Sequence, residues 1–176
     1  MLNRLSTLFR GTSAPRPGFP LMAAPMRRAA CMIPYRRELT LELARDQERL
    51  RELFGVVARN WRDGERALCL DRLREFDREL RLYLADEGVR FGSYMRHLLS
   101  EDVENLELMS RLRVRLRGLS HYIHGIARAH EQGLLQDQAY EEFGRSVRRI
   151  GAGLQQVFEC QQRLLFPLYR PLSADA

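Results

Sequence analysis

The sequence predicts an all-α fold, an up-down-up-down four-helix bundle preceded by a disordered basic arm. Three observations predict it. Apolar residues recur at steps of three and four over four long segments. Short polar breaks separate those segments, as they do between antiparallel neighbours in a bundle. Nothing reads as a sheet. The run Arg111–Arg117 alternates like a strand, but its flanks on both sides are helical, so it is taken as helix.

The arm spans 1–37, the bundle 38–170 and a short tail 171–176. Five of the seven prolines (15, 17, 20, 25 and 34) fall in the arm, so no long helix can run through it. Seven Arg and no acidic residue lie there. A transit segment, a disordered tail and a start at Met22, Met26 or Met32 are all open readings of it.

The first helix is expected from about Glu38 to Asn60, on Leu39, Leu43, Leu50, Leu53/Phe54 and Val57, with Asp46-Gln47 interrupting. Asn60–Gly64 makes the turn, and Trp61 there lids the core. The second runs from about Glu65 to Leu99, on Leu73, Phe76, Leu80, Tyr83, Phe91, Tyr94 and Leu98. Glu87 is the polar gap in that stripe. Gly88 and Gly92 follow it, which predicts a kink or a close helix approach.

The third helix is expected over Glu101–Glu131 behind a Ser100 N-cap. Its stripe is Leu112, Leu116, Leu119, Ile123 and Ile126, continued by His130, and Gly133 stops it. The fourth starts with Asp137 as cap and runs unbroken until Pro167 ends it. Phe143, Val147, Ile150, Leu154, Val157 and Leu164 line its stripe, with Gln161 standing where a hydrophobe is expected.

Charge and cysteine usage exclude several functions. All 29 basic residues are Arg, which reads as a GC-rich genome rather than as a nucleic-acid signal. Outside the arm, 22 Arg face 23 acidic residues. So neutral a body lacks the concentrated basic surface that phosphate backbones require. Binding to nucleic acid or anionic membrane is left to the Arg arm. No window approaches 18 apolar residues. Three cysteines, Cys31, Cys69 and Cys160, without a CxxC, read as reduced thiols in a cytoplasmic protein. Cys160 is expected to be an inert buried thiol. His121 and His124, spaced i, i+3, lack a third ligand at readable spacing and are expected to be surface or satisfied core residues.

The stripes thus carry four odd polar members: Gln47, Glu87, His130 and Gln161. The segments Phe76–Glu87 and Val157–Pro167, the latter ending Leu165-Phe166-Pro167, resemble the hemerythrin-like (HHE) domain, a four-helix bundle that holds two irons. The resemblance places that family's ligands at Gln47, Tyr83, Glu87, Val157 and Gln161, with a third-helix position near Asn105. Of these, only Glu87 keeps a metal-binding side chain. A neutral amide is a poor iron donor. No cofactor is therefore expected, and Gln47, Glu87 and Gln161 are read as a buried hydrogen-bond network that sets helix register. The runner-up is non-haem iron on Glu87, Tyr83, His130 and His97, for oxygen or redox sensing.

Tyr83-Leu84, Tyr94–Leu98 and Tyr140–Phe158 also resemble the regulator-of-sigma-D family (Rsd/AlgQ). These are metal-free helical bundles that bind the primary sigma factor. With no nucleophile elbow, GxGxxG or P-loop in the chain, the expectation is not an enzyme. It is a bacterial regulator that binds a protein partner such as a sigma factor. Homo-oligomerisation is left open.

Overall fold

The computed structural model describes residues 33–172, and most of them are helical. Helix α1 spans Leu39–Arg62. The second rod is compound: α2 (Arg66–Asp86), a π turn (Glu87–Phe91) and α3 (Gly92–Leu98). Helix α4 spans Val103–Glu131. The last rod is α5 (Asp137–Cys160), a second π turn (Gln161–Leu165) and a 3₁₀ turn (Phe166–Leu168). Around the bundle, α1 packs on α2, α2 on α4, α4 on α5, and α5 back on α1. Among the described residues there is no strand, and no helix is long and apolar enough to cross a membrane.

One continuous apolar core runs through all four rods. At one end Trp61 packs edge-on against Tyr140, ring centres 4.8 Å apart. The indole lies so close over Gly144 that a Cβ there would fall within 1.8 Å of it. Trp61 thus lids the core, and Gly144 makes the room. Gly64 (φ 75°) and Gly133 (φ 67°) take the left-handed conformations that end α1 and α4.

The opposite end is closed by aromatics from distant segments. Tyr35 stacks on Tyr169 at 5.0 Å, and Tyr94 meets Tyr169 edge-on at 5.0 Å. The Arg36 N–H donates to Tyr169 Oη at 3.0 Å, and Tyr94 Oη donates to the Arg170 carbonyl at 2.9 Å. This moves the predicted arm boundary. Tyr35 and Arg36 are fastened to the bundle by stacking and a backbone donor, which the Pro and Arg content of 1–37 could not reveal. Residues 1–32, Cys31 among them, and 173–176 lie outside the described residues.

Several other boundaries shift for local reasons. Asp102, not Ser100, caps α4, since its carboxylate accepts the Asn105 N–H at 3.1 Å. Asp137 is the first helical residue of α5 rather than its cap. The fourth helix is not unbroken to Pro167 but changes pitch at Gln161. There Leu165 is fully buried and Leu164, the expected stripe member, is 49% exposed. The i→i+5 closure widens the turn, so the residue four on, not three on, returns to the core. The same widening after Glu87 buries Met95 and Leu99 and leaves Leu98 half-exposed. In α4 the buried line runs through Ser120 and Ala127, while Leu119, Ile126 and His130 are only partly covered.

Candidate functional site

The interior polar residues meet at one level of the bundle. Gln47 faces the core from α1, Tyr83 from α2, and Glu87 and Gln161 each open a π turn. Gln47 and Gln161 are fully buried, and Glu87 is 1% exposed. Gln47 Nε2 donates to Tyr83 Oη at 2.7 Å and to Gln161 Oε1 at 2.8 Å. Tyr83 Oη donates to Gln161 Oε1 at 3.2 Å. Gln161 Nε2 in turn donates to Glu87 Oε1 at 3.4 Å. Gln162 reaches in from the rim, its Nε2 donating to Gln47 Oε1 at 2.7 Å.

A sixth residue completes the cluster, and the sequence reading missed it. Arg113 of α4 brings Nε to 3.5 Å from Glu87 Oε2. The two glycines after Glu87 explain how it gets there. A Cβ on Gly88 would stand 2.8 Å from an Arg113 guanidinium nitrogen, and one on Gly92 would stand 2.7 Å away. Side chains at those positions would evict the guanidinium. The missed signal was the pairing of a buried carboxyl with a flanking Gly-x-x-x-Gly, which makes a slot for a wide cation on the facing helix.

The electrostatics follow from burial. Desolvation pushes the Glu87 carboxyl above the ordinary Glu range, and the Arg113, Arg117 and Arg96 guanidinium groups pull it back down. Burial also raises the Tyr83 phenol, and the Glu87 charge adds to that. Tyr83 therefore stays a neutral donor. A pair such as Glu87–Arg113 is costly to break, because removing either partner leaves the other poorly compensated.

This cluster does not fit an iron pair. Glu87 is its single strong oxygen donor, the amides are neutral, and a fixed guanidinium stands where cationic metal would be repelled. Of the runner-up ligands, only Tyr83 and Glu87 come together. His130 lies 17 residues beyond Arg113 on the same helix, about 25 Å along its axis. His97 sits on α3, ten residues past Glu87. Asn105 is engaged at the α4 cap. Among the described residues, no group of three or more His, Cys, Asp or Glu is placed to hold a metal. Compared with protein-family models, curated proteins and solved structures, the chain matches none.

Two surface clefts flank α4. One, of about 310 Å³, lies between α3 and α4. Leu106, Met109 and Val114 form its apolar lining, with Arg96, Arg113 and Arg117 among them. The other, of about 500 Å³, lies between α2 and α4 and contains His124 and buried Asp77. His121 and His124 do not act together. His124 pairs across to Asp77, and His121 is exposed. Cys160 is half-buried rather than enclosed.

Proposed function

We propose that this chain is a non-catalytic helical bundle that acts by binding a protein partner, as a bacterial cytoplasmic regulator. The observation that carries the proposal is the closure of the interior. Where a bundle of this kind offers inward-facing groups for chemistry, Gln47, Tyr83, Gln161 and Glu87 Oε1 hydrogen-bond to one another, and Glu87 Oε2, which has no hydrogen-bond partner, faces Arg113 at ion-pair distance. Such a cluster holds register, since sliding any rod would leave buried polar groups unpaired. The remaining recognition capacity lies outside.

The α3/α4 cleft supports the same reading. It sets apolar surface beside arginines, and Arg117 makes no ion pair among the described residues. Val114, on its edge, is 69% exposed. Arginine beside exposed apolar area is the composition of interaction surfaces. An acidic segment with apolar anchors is the matching partner. The sigma-factor version rests on the regulator-of-sigma-D resemblance alone.

Binding of the full chain to purified primary sigma factor and to core RNA polymerase, followed by calorimetry, tests the proposal. Arg117→Glu with Val114→Asp should weaken a genuine interaction at least about tenfold. Absence of sigma binding removes that partner. For the metal-free reading, protein from iron-replete culture should be colourless with negligible iron. Two irons per chain would overturn it in favour of a hemerythrin-like redox protein.

A further inference from the structure

The Asp77–His124 pair is independent of the core cluster and of the partner reading. Asp77 is buried on α2 and His124 is half-exposed on α4. His124 Nδ1 stands 2.9 Å from Asp77 Oδ2. An ionised carboxylate can only accept, so Nδ1 carries the proton and donates it. In the neutral ring Nε2 is then the acceptor nitrogen, with its lone pair directed away from Asp77. The ring lines the 500 Å³ cleft. Asp77 is itself held by Arg81, Nε to Oδ2 at 3.2 Å, and its second oxygen, Oδ1, is buried with no hydrogen-bond partner.

The cleft is rich in guanidinium. Arg74, Arg78, Arg81 and Arg128 line it. Its acids are largely answered already: Arg74 pairs with Glu131 at 3.0 Å and with Asp71 at 3.8 Å, and Arg72 pairs with Glu75 at 2.7 Å. Arg128 differs. It lies one helical turn beyond His124 on α4, on the same face, and its side chain makes no ion pair or hydrogen bond among the described residues. A buried carboxylate behind an imidazole, an open nitrogen in front and an unspent guanidinium one turn away make a nucleophile facing an anion holder. No Ser, Thr or Cys lines the cleft to compete as acceptor.

We infer that His124 is a phosphoryl-acceptor site, charged at Nε2 by an acyl phosphate. The Nε2 lone pair attacks phosphorus, and the bond from phosphorus to the acyl oxygen breaks. The carboxylate leaves with that electron pair, and an N–P bond takes its place. The ring becomes a phosphorylated imidazolium whose Nδ1–H stays donated to Asp77, so the carboxylate stabilises the charge that develops. Arg128 neutralises the phosphoryl oxygens. Atoms and charge balance without any redox partner. The consequence is a reversible negative charge on a bundle face otherwise laced with ion pairs.

The test uses the full chain and acetyl phosphate. Intact-mass spectrometry should show one added phosphoryl group. Phosphorus NMR should place it on nitrogen, labile in acid and stable in alkali, and peptide mapping should place it on His124. His124→Gln should abolish labelling with an unchanged circular dichroism spectrum. Arg128→Gln, at an exposed position, should slow it about tenfold. Asp77→Asn should slow it at least about tenfold, because the amide no longer selects the reactive tautomer. If that variant fails to fold, the Arg128 result stands by itself. Absence of labelling, labelling on His97, His121 or His130 instead, or a rate no faster than that of a free histidine peptide each overturns the inference.

Discussion

Glu87 shows how much one residue can organise. It is the polar gap in an apolar stripe, the first residue of a π turn, and the partner of Arg113 across two glycines. Its raised pKa has a definite sign for stability. The folded protein holds the proton more tightly than the unfolded chain does, so stability falls as pH rises from the unfolded value of 4.5 through the folded one. Glu87→Gln removes that titration. Urea denaturation of the two proteins from pH 4.5 to pH 8 should show the variant gaining on the wild type as pH rises. A difference independent of pH would mean that Glu87 titrates normally. At this scale the sequence was informative about position and silent about partner. Gln47, Glu87 and Gln161 stood out because they broke a hydrophobic period. Arg113 did not, because one Arg in an Arg-rich run carries no local mark.

At the scale of elements, the two π turns deserve the most weight. Each begins at a residue of the core cluster and each re-phases the helix that follows. Val89 lies within the first of them and is 63% exposed, so its own side chain contributes little to the core. Deleting it should let the rod close as a regular α-helix and turn Tyr94, Met95 and Leu99 off the core. The expected loss is about 3 kcal/mol or more, read from denaturant melts. Val89→Ala, as a control, should stay within about 0.5 kcal/mol. Equal effects of deletion and substitution would show that the inserted residue does not set the phase. The glycines after Glu87 hinted at an irregularity there. The break at Gln161 had no such flag, and the error over Leu164 follows from that. A helical wheel drawn at constant pitch cannot register a change of pitch.

For the whole molecule, the closing of the bundle's open end is the instructive feature. Tyr35, Tyr94 and Tyr169 come from three separate segments and share one aromatic cluster. The chain without 1–32 gives the reference melting temperature. Removing 1–36 also takes away the Tyr35 stack and the Arg36 N–H donor to Tyr169, and should cost about 1–2 kcal/mol. Matching melts for both truncations would place the boundary back at residue 37. Thermal denaturation followed by circular dichroism distinguishes these outcomes.

The sequence by itself determined the helical class, the four rods, their short connections and the inward phase of Gln47, Glu87 and Gln161. These follow from the spacing of apolar residues along the chain, which is a local property. Tertiary structure alone decided which polar groups meet. Gln47 on Tyr83 and Gln161, Arg113 on Glu87, and Asp77 behind His124 each join residues 26 to 114 positions apart on different rods. Those meetings depend on the register between rods and on two local changes of pitch. Periodicity within a helix specifies a face, but it does not specify the height at which that face meets its neighbour.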